Sequence, residues 1–290
     1  MRRPKDIKSE EMSMRTIVSL TSALESLSSM KIMQTKSKVL ISNEFFAEVW
    51  DIYKQIRVDV MFNFGRNIED SVSDKEVLIL ITAPTGLTGD IDQRLIRKVK
   101  DYYEADKHEI IIVGRHGAQQ LRQSNIPYTK YFDLPKQDYV NVDPLISEMR
   151  KYSRSRVFYQ NYQSLSQQEI KSMDVSDAVS SMGKVADIET EESRKNEISE
   201  KTYIFEPGAF AVAAYLETAM LRLMLSQFIY DSKLAQLASR FRAMSAAKER
   251  STETADELRT EFSRSKRALT DVRLKESLVG LRKLRAGGEA

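Results

Sequence analysis

The chain has no cysteine, two histidines, ten glycines and six prolines in 290 residues. Without cysteine there is no disulfide framework, thiolate zinc site or cysteine nucleophile. Two imidazoles leave little for His-based metal or acid–base chemistry, so neither a metal nor a cofactor site is expected. Average usage would place about 35 glycines and prolines in a chain of this length, so this one avoids bending. Charge of one sign is also missing: 45 Lys and Arg stand against 42 Asp and Glu, for a net charge of +3 with 30% of residues charged. Such dense, mixed charge suits exposed helices better than a cationic nucleic-acid face, and no nucleic-acid partner is expected. No uninterrupted apolar run approaches the roughly 18 residues of a membrane span. The best are VLILITA (77–83) and EIIIVG (109–114), so no direct membrane span is expected. Residues 1–15 lack the apolar core of a signal peptide, which makes a cytosolic location the default. With 41% apolar residues the chain has enough to bury a core.

The few turn-formers are concentrated in the middle. Neither Gly nor Pro occurs between Pro4 and Gly65, or between Gly208 and Gly280. Because these residues cost roughly 1 and 3 kcal/mol inside a helix, the two ends read as helix. The expected division is an N-terminal coiled-coil helix over 1–65, a central α/β domain over 75–203 and a long C-terminal helix over 209–285.

Alternating steps of four and three from Leu216 meet Met220, Leu223, Gln227, Tyr230, Leu234, Leu237, Phe241 and Met244. The register passes Lys248 and Ser251 and resumes at Ala255, Leu258, Phe262, Ser265, Leu269, Val272, Glu276 and Val279. A 3.5-residue repeat held this long predicts a left-handed coiled-coil seam, on a helix on the order of 110 Å long at about 1.5 Å per residue. The partner stripe is read as Ile17, Leu20, Leu24, Leu27, Met30 and Met33, with a second face at Phe45, Val49, Ile52, Ile56 and Val60 and a break near Asn63–Gly65. If both helices leave one side of a compact middle, they lie antiparallel; an ordinary helical bundle is the alternative.

The middle alternates strand and helix, which predicts a largely parallel, Rossmann-like sheet covered on both faces. VLILITA and EIIIVG are buried strands; 127–134 is a third, and 156–164 alternates like a half-exposed strand. Helices are expected over 90–105, 116–123 and 143–151. Residues 172–201 turn to Ser, Glu, Asp and Lys and read as a polar excursion or hairpin; Asp174, Asp177, Asp187 and Glu189 there do not match a calcium loop.

Gly86-Leu-Thr-Gly-Asp90 lies where a phosphate loop would, but it lacks the Gly-Lys-Ser/Thr ending and reads as a tight turn. Gly114-Arg-His-Gly117 is a second glycine-bounded turn. His108 reads as a surface residue, and no Ser/His/Asp arrangement can be assembled. Arg240, Arg242, Arg264, Lys266, Arg267, Arg273, Lys275, Arg282, Lys283 and Arg285 crowd the C-terminal helix among Glu253, Asp256, Glu257 and Glu261. This is a solvated coiled-coil face or a contact for an acidic protein ring.

Several of these segments resemble, in order and spacing, the γ subunit of F-type ATP synthases, the central rotor shaft. The similarity runs through Lys5-Asp-Ile-Lys8, Thr21, Ala23 and Lys31, both glycine turns, Tyr203-Ile-Phe-Glu-Pro207, and 235–280 with Ala238, Arg240, Ala243-Met244, Leu258, Glu261-Phe262, Arg264, Lys266, Ala268 and Gly280. The resemblance implies an antiparallel coiled coil inside a hexameric ring of α and β subunits. It also implies an α/β domain against the ε subunit and the membrane c-ring. The chain would then be a non-catalytic torque-transmitting part of a peripheral complex at the cytoplasmic face of the cell membrane. By resemblance Lys266 and Arg267 match a pair that contacts an acidic catch loop, Arg240 matches a shaft arginine, and Leu24 stands where many members have Met. The sequence departs from the family at Asp271-Val272-Arg273, where Thr-Gln-Glu is usual, at Gln236, where Glu is common, and in the basic tail from Leu281 to Gly288. The expected subunit contacts are therefore Leu24, Arg240, Lys266, Arg267, Asp271 and Arg273. The alternatives are the shaft of an F-like ATPase not coupled to protons, a coiled-coil scaffold, or a small α/β nucleotide enzyme.

Overall fold

The computed structural model describes residues 2–55, 73–134, 141–175, 177, 206 and 208–286. The expected break at Asn63–Gly65, residues Ile56 and Val60, the excursion over 178–201 with Asp187 and Glu189, and the 203–207 link apart from Glu206 lie outside the described residues. So do the side chains of Arg282, Lys283 and Arg285 and the glycines at 287 and 288. The elements are α1 (Pro4–Gln55), β1 (Ser73–Ile81), α2 (Ile91–Tyr102), β2 (His108–Val113), α3 (Arg115–Gln123), β3 (Lys130–Phe132), α4 (Asp143–Met149), β4 (Tyr152–Tyr162), β5 (Gln168–Asp174) and α5 (Ala209–Ala286). The sequence divides by composition; by packing there are two units, Met1–Leu27 with Arg242–Ala290, and Ser28–Phe241.

In the first unit the start of α1 and the end of α5 run antiparallel. Ser265 Oγ donates to the Arg2 carbonyl at 3.0 Å, the Lys8 ammonium lies 6.0 Å from the Phe262 ring centre, and Lys248 pairs with Glu25 at 3.0 Å. Met244, Ala255, Leu258 and Ser265 of α5 are all buried, on the register expected from the sequence. Past Ser265 the stripe opens to solvent, and Leu269, Val272 and Val279 are exposed.

The α1 stripe departs from expectation by one residue. Ile17, Leu20, Leu27, Met30 and Met33 are exposed, Met33 to 74%, while the buried positions include Ile7, Thr21, Ser28, Ile32 and Thr35. The physical reason lies in size and self-satisfaction. A small hydroxyl residue lets helices approach closely, and its oxygen bonds the preceding turn: Thr21 Oγ1 donates to the carbonyls of Ile17 at 2.8 Å and Val18 at 3.0 Å. Further along, Val49 is buried as expected, but its seam neighbour is Phe46, whereas Phe45 and Ile52 are exposed.

The second unit holds a five-stranded sheet of order β3-β2-β1-β4-β5. β1 pairs in parallel with β2 and β4, β2 pairs in parallel with β3, and β5 joins β4 antiparallel. Side chains alternate across β1 and β2. Val77, Ile79 and Ile81 meet α4 and the Leu221–Ile229 stretch of α5 on one face. Leu78 and Leu80 meet α2 and α3 on the other, where Ala235 of α5 also packs. In the same unit Ile32 packs on Leu234, Leu237 and Ala238, and Phe46 and Val49 pack on Met220, so α1 and α5 are antiparallel here too.

Three expectations change. β4 is not half-exposed: Phe158, Tyr159 and Gln160 are all buried, because both faces are covered, Tyr159 by α5 and Phe158 by α2 and α3. Residues 172–174 of the polar excursion are strand, with Asp174 opposite Arg156. His108 is buried rather than on the surface, stacked on Tyr102 at 5.0 Å with Nε2 3.4 Å from Glu76. Between Ala211 and Gly280, α5 also carries an 18-residue window with mean hydropathy 1.2, enough by length and composition to cross a membrane, half of it buried. Charges such as Glu217 and Arg222 interrupt this helix, so it shows no apolar run.

Candidate functional site

In open α/β sheets, ligands bind outside the carboxyl ends of the strands where the strand order reverses. Here that point lies between β1 and β4, since the chain passes from β1 to β2 on one side and returns to β4 on the other. Both glycine turns sit at this edge. The turn after β1 carries Leu87 and Gly89 with positive φ of 66°. The turn after β2 carries Gly114 at φ 108°, pressed against Thr82, whose hydroxyl donates to the carbonyls of Val113 at 3.0 Å and Gly114 at 3.2 Å.

Asp92 is the hub. It lies in the first turn of α2, where the helix dipole favours a carboxylate, and it is fully buried. Its carboxylate accepts from His116 Nδ1–H at 2.7 Å, from Gln160 Nε2 at 2.9 Å and from the Ala83 N–H at 3.3 Å. Gln160 Oε1 accepts from Gln236 Nε2 at 3.0 Å, and the Gln160 N–H donates to Ser232 Oγ at 3.2 Å. Ser239 Oγ donates to the Thr88 carbonyl at 2.7 Å, and Arg240 Nη2 donates to Thr85 Oγ1 at 2.8 Å and the Gly86 carbonyl at 3.1 Å. The edge where a nucleotide would sit in other sheets is therefore lined by groups already bonded to α5. The glycine turn functions as a docking point for that helix.

The hydrogen bond to Asp92 raises the His116 pKa above 6.5, with burial opposing. A group whose folded value is raised contributes stability that is complete below its unfolded value and lost as pH rises through the folded one. The second unit should therefore lose stability as pH climbs past the raised His116 value. Melting temperatures from about pH 6 to about pH 9 check this; the slope should flatten in His116→Gln. Burial lowers the Arg240 pKa, and the Asp92 charge opposes that shift.

The six expected contact residues do not form one cluster. Arg240 is held in the second unit by its own chain's glycine turn. Leu24 is half-buried on α1 in the first unit, and Lys266, Arg267, Asp271 and Arg273 are exposed on α5 beyond Ser265. Arg267 and Asp271 stand one helical turn apart, and Lys266 and Arg273 two turns apart.

The family profile described as ATP synthase matches residues 3–271. The chain belongs to the ATP synthase family. Among its relatives, the ATP synthase gamma chain of Clostridium novyi is 22% identical over 272 residues, covering 90% of this chain and 91% of that one. The gamma chain of Halothermothrix orenii is 23% identical over 297 residues, covering 97% and 99%. In fold, the chain is similar to a rotor chain of the Euglena gracilis mitochondrial ATP synthase, with a TM-score of 0.61 at 12% identity, covering 92% of this chain and 98% of that one. The γ-subunit resemblance seen in the sequence thus holds along nearly the whole length. What the sequence reading missed in this ATP synthase family chain is the Asp92–Gln160 hub. The available signals were a carboxylate in a helix first turn after a glycine turn and a glutamine within a strand of buried aromatics.

Proposed function

We propose that this chain is the central-stalk, γ-type rotor of a rotary F-type ATP synthase. The reading rests on the family match over residues 3–271 combined with antiparallel pairing of two long helices. The chain is non-catalytic. Its shaft turns within a ring of α and β subunits, its α/β domain meets the ε subunit and the c-ring, and the complex is peripheral at the cytoplasmic face of the cell membrane. Torque crosses a helix without Gly or Pro between 208 and 280, where either would be a compliant point. Rotation presents a changing face to each β subunit. The angle can order the nucleotide sites only if the shaft binds their conformations with different free energies. Lys266, Arg267, Asp271 and Arg273 carry that contact in this reading: they are exposed and lie past the last buried seam residue.

A second reading, the shaft of an F-like ATPase not coupled to protons, draws on the basic Arg273 and the basic tail, which depart from the family pattern. The test of the rotor reading is co-purification of the tagged full chain. Recovery of a nucleotide-binding ring of α- and β-type subunits is expected, with no ATP binding or hydrolysis by the chain alone. Recovery of no such ring would sink the assignment, and ion transport by the purified complex separates the two readings.

A further inference from the structure

The crevice at the switch point holds more polar bonding than docking of an apolar helix needs. Four side chains of α5, Ser232, Gln236, Ser239 and Arg240, fall on one face at steps of four, three and one, and all four are engaged. Their partners come from three places: β4 through Gln160, the β1 turn through Thr85, Gly86 and Thr88, and, through Gln160, Asp92 at the start of α2. Asp92, Gln160 and Ser232 are fully buried, and Gln236 and Ser239 nearly so.

We propose that this network is a torsional latch that stops α5 from rolling on the α/β sheet, with Gln236 and Ser239 as its positioning residues on the helix. The proposal rests on the rotor reading for its purpose, though not for its mechanics. Apolar packing is non-directional, so the Leu221–Ile229 face opposes a small roll less sharply than directional bonds do; nearer the start of α5, Arg150–Thr218 and Arg222–Asp143 bonds add to the anchoring. Hydrogen bonds are directional and weaken steeply off-axis. Even a roll well short of the roughly 100° between successive residues would aim the four side chains off-axis and leave buried acceptors and donors without partners. In a rotor, torque applied to α5 would then reach the α/β domain instead of being lost as slip. The fold's usual ligand crevice has become a mechanical joint.

The absence of native cysteine allows a clean test on the full chain. Spin labels are placed on cysteines introduced at the exposed Gln119 of α3 and Tyr215 of α5, and the distribution of their separation is measured with and without Gln236→Leu plus Ser239→Ala. Removing two of the five bonds that α5 makes at this crevice should raise the variance of that distance about twofold, with helical content unchanged. An unchanged variance in the folded double variant overturns the latch. Ser239→Ala alone, which deletes one hydroxyl, should give a smaller increase and serves if the double variant does not fold; no increase there is equally contrary. Because the measurement needs no partner, the latch and the rotor assignment can fail separately. Failure of the unaltered chain to recover a ring would remove the latch's purpose and leave its stiffness result standing.

Discussion

Gly114→Ala is expected to destabilise the second unit strongly. Gly114 has φ 108°, and a Cβ there would lie 2.3 Å from the Thr82 carbonyl oxygen and 2.7 Å from Thr82 Oγ1. The obstacle is backbone, and it cannot easily move. The Thr82 N–H donates to the Val113 carbonyl at 2.8 Å, and the Gly114 N–H donates to the Phe132 carbonyl at 2.9 Å. Relief of the clash would therefore pull β1, β2 and β3 out of register. Backbone strain of about 1–3 kcal/mol and overpacking of similar size together give roughly 2–6 kcal/mol. For a unit of this size that lowers the melting temperature by about 5–20 °C. Gly280→Ala is the control. Nothing lies within 4 Å of a Cβ there and the residue is inside α5, so the change should leave stability unchanged or raise it by up to about 1 kcal/mol. Equal melting temperatures for Gly114→Ala and the unaltered chain would show that the strand edge is slack.

The second large effect is expected on coupling rather than on folding. Lys266 and Arg267 are exposed on α5 in a stretch whose apolar seam has already opened to solvent. Replacing both with alanine should move stability by no more than about 0.5 kcal/mol. In the assembled complex two charge contacts of about 1 kcal/mol each would be lost, lowering coupled turnover about 30-fold. Unfolding curves of the isolated chain and ATPase rate and torque of the complex provide the comparison. Unchanged turnover in the double variant would rule out a charge contact at these positions. Asp271 and Arg273 share the same exposed turns, and under the proposed rotor reading a ring that meets this face would have to accommodate the basic residue at 273.

Much of the fold is legible in the sequence because the long helices are marked by what they avoid. The gap in Gly and Pro between 208 and 280 marks α5, and its 3.5-residue register meets the buried Met220, Leu234, Leu237, Met244, Ala255, Leu258 and Ser265 but passes over Leu221, Met224, Leu225, Phe228 and Ile229, which are buried against the sheet. The seam of α1 is not legible in the same way. There the apolar stripe through Ile17, Leu20 and Leu27 faces outward and Thr21, Ser28 and Thr35 face inward. Hydrophobicity identifies a seam only when large side chains fill it; a close-packed pair with hydroxyls satisfied on their own helix reverses the signal. β5 was hidden because an antiparallel edge strand needs little apolar content when one side meets solvent. The Asp92 hub was hidden because a buried carboxylate looks, in sequence, like any helix-start acid; only the convergence of His116, Gln160 and the Ala83 N–H around it distinguishes the two.

Transmission of rotation by this chain is measured directly on the complex recovered with it. With the ring immobilised and a visible probe fixed to the chain, addition of ATP should produce continuous rotation in one direction that stops when ATP is exhausted. ATP turnover by the ring at full rate with the probe stationary would show that the chain does not rotate with catalysis.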